Sequence, residues 1–420
     1  MSGADWITRR GWVAPEVGGA CFAGLPGTIT TLLTGDAIAP PLPPALLGAL
    51  GARAERVVLV YLDAFGHALA SRHAGHPLLA RALAEGAFAR LTSQCPSTTT
   101  AHMPTIHSGQ PVGEHGLYEW FMLEPRLERL IAPLPFMYAG DGRTPLAPDL
   151  RPEDLYPART LYEWLGERGV ASAVTGPIGY SASPTSGALL RGASSTLGFF
   201  EPGDGLEALA AQIAALPTPA YGFAYLDELD SLMHKVGPPA DGGGSHVDDE
   251  LDHLLGLIER RLLARLPPGT LVLISSDHGM TAVSPPGTIY LNAGEPGERI
   301  ARHVRPSADP DGHPLAPAGS CRDLFLHARP GQVEELVGEL RALLGPRAEV
   351  RRAGELLDAG LFGPAPARAL TDRLGDVVVL PELGEAVYWY TPGRFRQALW
   401  GQHGGLSALE MEIPLIALVA

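Results

Sequence analysis

Apolar residues are spread unevenly along the chain, and one unbroken run sets the frame. Residues 56–62 read RVVLVYL and end on Asp63, with Gly66 shortly after. A continuous apolar run of this length predicts a strand buried on both faces, as in a parallel sheet. PLLARALAEG follows with helical spacing. The pattern recurs: the helix TLYEWLGERG precedes a strand at VASAVTGP (170–177), and YGFAYLDELD (221–230) reads as a strand running into an acidic turn. VDDELDHLLGLIERRLLARL (247–266) predicts a long amphipathic helix, and LVLISSDHGM (271–280) a strand ending in Asp-His-Gly. Strands alternating with helices imply an α/β fold with a mainly parallel sheet. In open sheets of this kind, ligands bind beyond the carboxyl ends of the strands. Three of these strands end in Asp63, in Asp227 and Asp230, and in Asp277.

The character changes at both ends of this alternation. Residues 1–50 are rich in Gly and Pro with short apolar islands, and predict an arm over the core. From about 281 to 395 the chain carries a polar, Pro/Gly-rich stretch, HVRPSADPDGHPLAPAGS. CRDLFLHAR reads as a strand, PGQVEELVGELRALLG as a helix, and DVVVLP and EAVYWY as two more strands. The expected organisation is an arm at 1–50, a core at 51–300 plus 396–420, and an inserted small α+β subdomain or cap at 301–395. The apolar end IPLIALVA is expected to return to the main sheet. The sequence shows no internal repeat.

Composition narrows the function. Of 420 residues, 45% are hydrophobic, enough for a large core. The formal charge of -15 argues against a nucleic-acid binder, which normally presents a basic face. An acidic chain can still take an anionic substrate where metal ions reverse the local field. Cys21, Cys95 and Cys321 lie far apart, which argues against a sulfur-bound zinc and against a disulfide framework. No signal-peptide-like stretch and no run of eighteen apolar residues occurs, so the expectation is a cytoplasmic protein without a membrane span.

Several polar groups then matter. Asp230 and His234 are four apart in ELDSLMH. On a helix they share a face, where a carboxylate and an imidazole can chelate one metal; the bland alternative is a surface pair or a helix cap. Asp277 and His278 sit just past a buried strand, with Gly279 to permit a sharp turn, and read either as ligands or as an Asp turn with a half-buried His. His403 lies in the glycine loop GQHGGLS. Asp63 is a ligand or a turn-former. CPSTTTAHMPTIHSG places three hydroxyls, Thr98, Thr99 and Thr100, before an expected helix. A helix N-terminus suits a phosphate, although on this segment alone simple capping by Thr is the favoured reading. A threonine hydroxyl becomes a usable nucleophile when a divalent cation lowers its pKa. Oxygen and imidazole ligands without sulfur suit Zn²⁺, with Mn²⁺ as the alternative. His102, His107 and His115 lie near these threonines; His67, His73 and His76 read as surface residues.

Taken in order, these segments resemble the alkaline phosphatase superfamily, and within it the nucleotide pyrophosphatase/phosphodiesterase (type I phosphodiesterase) family. The order is a strand ending in Asp63, then P-S-T-T before a helix, D-x-x-x-H at Asp230 and His234, S-D-H-G-M at Asp277 and His278, and a late H-G-G at His403. The resemblance implies a three-layer sandwich and two divalent metal ions. It implies that Asp230, His234 and His403 hold one ion, and that Asp63, Asp277 and His278 hold the other with Thr99 beside it. It implies Thr99 as nucleophile, forming a phospho-threonine intermediate that is then hydrolysed; Thr98 and Thr100 stay open as alternatives.

Two residues depart from that family's pattern. Thr98 stands where Lys is frequent before the nucleophile. In HGLYEWFM, the phosphoryl-binding asparagine is replaced at or near Trp120. C-P-S-T-T lacks the C-x-P-x-R pattern of the sulfatase branch. The expected substrate is a small nucleotide-like or lipid-like phosphate diester. A phosphomonoesterase or phosphonate hydrolase on the same metals is the alternative enzyme, and a metal-free binding protein the alternative outside enzymes.

Overall fold

The computed structural model describes residues 4–140, 142–240 and 244–420. Its centre is a seven-stranded sheet. In chain order the strands are β1 (Arg56–Leu62), β2 (Ala87–Thr92), β3 (Ala171–Pro177), β4 (Ser195–Phe199), β5 (Ala220–Leu226), β6 (Leu271–Ser275) and β7 (Glu412–Val419). Across the sheet they run β2-β7-β6-β1-β5-β3-β4. β1 pairs in parallel with β5 on one side and β6 on the other, and β3 is parallel to both β5 and β4. β7 is antiparallel to its neighbours β2 and β6. The expected mixed α/β fold with a largely parallel sheet is therefore the fold observed.

Burial along β1 explains why its sequence has no polar alternation. Val58, Val60 and Leu62 join one apolar cluster, while Val57, Leu59 and Tyr61 join a second on the opposite face. Both faces are covered, so both sets of alternating positions must be apolar. On the first face lie helices Pro77–Glu85, Pro202–Ala215 and His246–Leu257, which supply Leu78, Leu209 and Leu251 to the cluster. On the second lie α1 (Leu25–Thr34) and Leu161–Gly166, with Ile29 and Tyr162. The result is three layers, helices on a sheet on helices. Ser245 caps its helix through a capping box with Asp248, as Thr160 does with Glu163.

The functional edge is served by two more helices, α2 (Thr99–Ser108) and α3 (Glu228–Val236). α3 begins two residues after β5, so ELDSLMH is helical and Asp230 and His234 share a face.

A second apolar cluster group lies outside the central sheet. A four-stranded antiparallel sheet is built from Ala318–Gly319, Leu324–Leu326, Val377–Pro381 and Ala348–Arg352, with helix Val333–Leu344 packed against it. A three-stranded sheet at 122–138 shares this core, as do Trp6, Ile7 and Trp12. Val387–Tyr388 pairs instead with Ile289–Tyr290. Among the described residues no helix is long and apolar enough to cross a membrane.

Leu59 is fully buried in the middle of β1, whereas Leu83 is 53% exposed on a peripheral helix. Leu59→Ala should cost about 2–5 kcal/mol, the range for a buried Leu→Ala change. Leu83→Ala should cost about 0.5 kcal/mol or less. Urea unfolding of the two variants checks this; equal midpoints would contradict the packing described.

Candidate metal centre

Parallel pairing of β5, β1 and β6 brings three strand ends side by side. Asp63 follows β1 directly. Asp230 lies in the first turn of α3, just after β5, and Asp277 and His278 follow β6. Asp63 is tied to the next strand by its backbone N–H, which donates to the Leu226 carbonyl (2.9 Å). The turns after β1 and β6 touch. A Cβ on Gly279 would fall 2.1 Å from the Leu409 carbonyl oxygen, and one on Gly66 would fall 2.8 Å from the Gly279 Cα. Glycine at both positions lets the two acidic turns meet.

His403 comes from the far end of the chain. Residues Gly401–Gln402 pair antiparallel with Thr281–Ala282, which locks the His403 loop to the strand end carrying His278. The Trp400 N–H donates to the His234 carbonyl (2.9 Å), which ties the same loop to α3. The His278 and His403 rings stack at 3.7 Å between centroids.

The six residues form two groups. Asp230, His234 and His403 offer ligand atoms all within 4.8 Å of one another, and so do Asp63, Asp277 and His278. His278 Nε2 lies 3.3 Å from Asp277 Oδ2 and 3.5 Å from Asp63 Oδ1, and His234 Nε2 lies 3.4 Å from Asp230 Oδ1.

Three observations fit these groups to cations. First, each imidazole is pinned by the nitrogen it does not offer. His234 Nδ1 contacts the Gly401 carbonyl (2.8 Å), His278 Nδ1 the Gly279 carbonyl (2.9 Å) and His403 Nδ1 the Ser97 carbonyl (3.0 Å). A carbonyl only accepts, so Nδ1 carries the proton and Nε2 keeps its lone pair, the tautomer a metal needs. Second, Asp63 Oδ1, Asp230 Oδ1 and Asp277 Oδ2 are buried without a hydrogen-bond partner. Buried polar atoms are normally satisfied, and these three point into the cluster. Third, three carboxylates gathered beside neutral imidazoles leave three negative charges, which two divalent cations would offset. Without such ions, burial and then the charges of Asp277 and Asp230 push the Asp63 carboxyl well above its usual range. Burial likewise raises Asp230. Burial, with His278 and His234 nearby, holds His403 well below its ordinary value.

The threonine run separates by geometry. Thr98 is the N-cap of α2, yet its side chain makes no capping bond. Thr100 is fully buried with an unpartnered hydroxyl. Thr99 opens the helix and is the one that faces the cluster, its Oγ1 3.3 Å from His278 Nε2 and 3.5 Å from Asp63 Oδ2.

The neighbouring histidines are held by hydrogen bonds within the fold, and His107 also lines the cleft. His102 Nδ1 contacts the Thr98 carbonyl (2.7 Å), while its Nε2 accepts from the Gln94 N–H (3.0 Å). His115 Nδ1 accepts from the Leu117 N–H (3.0 Å), and His107 shares a hydrogen bond with Tyr162 (2.9 Å). Burial lowers His102 to about 4 and the other two to about 3. Sequence reasoning passed over two tyrosines: Tyr225 donates to Asp63 Oδ2 (2.5 Å) and Tyr180 to Asp227 Oδ2 (2.8 Å). Tyr225 sits in an apolar strand, where its hydroxyl gives no pattern to read.

A cleft of about 1020 Å³ opens over Thr99 and the first metal group. Its walls are largely apolar, with Met103, Trp120, Phe121, Leu197, Phe223 and Leu399 among them; Arg396 is the one arginine among its described lining residues.

A family model described as "Type I phosphodiesterase / nucleotide pyrophosphatase" matches residues 57–404. The fold is similar to that of murine ectonucleotide pyrophosphatase/phosphodiesterase 5, at 20% identity and a TM-score of 0.63, covering 86% of this chain and 87% of that one. The human protein of the same name matches at 17% identity and a TM-score of 0.62, with the same coverage. An inactive threonine-to-alanine form of the murine protein in complex with AMP matches at 19% and 0.61, again over 86% and 87%. The match spans all the motifs and both candidate metal groups: the chain belongs to the type I phosphodiesterase / nucleotide pyrophosphatase family and is a hydrolase of that kind.

Proposed function

We propose that the protein hydrolyses a phosphate diester through Thr99, at a centre for two divalent cations, zinc by preference. The observation that carries this is the gathering of six carboxylate and imidazole side chains in two adjoining groups, three of them carboxylates with an unpartnered buried oxygen, with the Thr99 hydroxyl against His278 and Asp63 of one group. Asp230, His234 and His403 would hold one ion, and Asp63, Asp277 and His278 the other. Such ions, when bound, supply Lewis acidity that makes the threonine hydroxyl acidic and offsets charge on the phosphoryl group.

The chain's own residues do the rest. The first turn of α2 aims backbone N–H groups and the positive end of its dipole at a phosphoryl group beside Thr99. Thr99 Oγ1 attacks phosphorus in line. The P–O bond to the first ester group breaks, and that group leaves as the alcohol after taking up a proton. The chain is left esterified on Thr99, and water then releases the phosphate monoester and restores the hydroxyl. The apolar cleft houses the ester groups and excludes water from them. That the related murine protein binds AMP in an inactive threonine-to-alanine form supports a nucleotide-like group and a threonine at the reacting position.

Preference for a diester rests on the cleft. A monoester dianion calls for an additional fixed cation, while a diester offers a second uncharged group for the apolar walls. Arg396 at the cleft is the feature that favours the second reading, a phosphomonoesterase or phosphonate hydrolase.

Thr99→Ala should abolish turnover and leave bound metal largely intact, as assayed with bis-p-nitrophenyl phosphate and elemental analysis. Wild-type-like rates would contradict the assignment. His234→Ala and His403→Ala should lower metal content and activity together; unchanged stoichiometry would remove them from the site. On zinc-loaded protein, kcat/KM for bis-p-nitrophenyl phosphate should exceed that for p-nitrophenyl phosphate by about tenfold or more, roughly 1.4 kcal/mol of transition-state discrimination. A preference for the monoester would select the second reading.

A further inference from the structure

The two carboxylates of the group Asp63, Asp277 and His278 are built alike. Each has one oxygen held by a donor of the chain and one oxygen with no partner. Asp277 Oδ1 accepts from Ser276 Oγ (3.2 Å) and from the Ala64 N–H (3.4 Å), while its Oδ2 is buried and unpartnered. Asp63 Oδ2 accepts from the Tyr225 hydroxyl, while its Oδ1 is buried and unpartnered. The two unpartnered oxygens lie 3.3 Å and 3.5 Å from His278 Nε2. Fixing one oxygen of a carboxylate by a hydrogen bond turns the other toward a shared ion, and metal-binding carboxylates are ordinarily held in this way.

Tyr225 reaches Asp63 because β5 and β1 run in parallel, with Tyr225 opposite Tyr61. Its ring packs edge-on against Tyr61 (5.4 Å between centroids) and lies beside that of Tyr180 (6.1 Å). β5 therefore holds Asp63 twice: the Leu226 carbonyl accepts from its backbone N–H, and the Tyr225 hydroxyl donates to its side chain. The Thr99 hydroxyl competes for the same carboxylate oxygen. Thr99 Oγ1 makes only a long contact with Asp63 Oδ2, at 3.5 Å, beside its 3.3 Å contact with His278 Nε2. Once Nε2 serves an ion, Asp63 Oδ2 is the acceptor left to Thr99. A carboxylate oxygen that already takes a phenol hydrogen bond has part of its charge stabilised, and so binds a second hydroxyl less firmly.

We infer that Tyr225 is a positioning residue of the centre: its hydroxyl turns Asp63 Oδ1 toward the ion and, by occupying Oδ2, keeps the Thr99 hydroxyl free to attack phosphorus. Tyr225 forms no bond to the substrate in this role and loses no proton. The inference rests on the reading of Thr99 as the nucleophile beside two ions.

Full-length Tyr225→Phe, which removes the hydroxyl and keeps the ring, is compared with wild type and with Tyr180→Phe. The Tyr180 hydroxyl donates to Asp227, which belongs to neither ligand group. Zinc is titrated into each metal-free protein against a chelating indicator, and kcat and KM for bis-p-nitrophenyl phosphate are measured at saturating zinc. Tyr225→Phe should weaken one zinc equivalent by about tenfold or more, the scale for losing a hydrogen bond to a metal ligand, and leave the other within about threefold. At saturating zinc its kcat should fall by about tenfold while KM stays within about threefold of wild type. Tyr180→Phe should bind both zinc equivalents as wild type does. A tyrosine that only packs predicts wild-type zinc affinity and kcat in Tyr225→Phe, because the ring remains, and that result would overturn the inference. Equal weakening in Tyr180→Phe would overturn it too, as a general disturbance of the cleft. Thr99→Ala keeps the two failures apart. A dead Thr99→Ala beside a wild-type-like Tyr225→Phe overturns this inference alone, whereas an active Thr99→Ala overturns the functional reading and this inference with it.

Discussion

Burial of like charge is the constraint on which the site depends. Asp63, Asp230 and Asp277 end three neighbouring strand-to-loop junctions, and each carries a carboxyl oxygen with no partner. An ionised carboxylate costs several kcal/mol to bury unpaired. A fold that gathers three of them has either to protonate them or to surround cations with them. The imidazoles favour the second course, since all three present a lone pair inward and keep their protons on backbone carbonyls. The parallel sheet makes the gathering possible, because strands that run side by side deliver their ends to one edge.

The chemistry follows from the same edge. α2 starts at the cluster and places Thr99, alone of three consecutive threonines, against His278 and Asp63. The loop bearing His403 is held to α3 and to the strand after His278, so the two candidate metal groups form one unit. Around it, the cleft contributes shape and dryness more than charge.

Much of this was legible in the sequence because it is local. β1, β5 and β6 read as strands since they are buried on both faces, and their acidic ends follow within a few residues. Asp230 and His234 were readable as a pair from helical spacing. Two strands of the sheet were not legible. β2 is half-buried, AFARLT, and β4 is an edge strand, STLGF, with exposed positions in its middle, so neither gives a continuous or alternating apolar signal. The strand Ala348–Arg352, AEVRR, is short and buries only Ala348 and Val350, too few apolar positions to set a period. The choice of Thr99 over Thr98 and Thr100 needed the direction of each hydroxyl, which spacing does not carry.

The account's central claim is that these six side chains form a two-ion centre around Thr99. Zinc-edge anomalous diffraction from crystals of the zinc-loaded protein tests it most directly. The account predicts two peaks, one bonded to Asp230, His234 and His403 and the other to Asp63, Asp277 and His278, at about 2.0–2.2 Å from the ligand atoms. A single peak, or peaks held only by other groups such as Asp309 and His313, would contradict it.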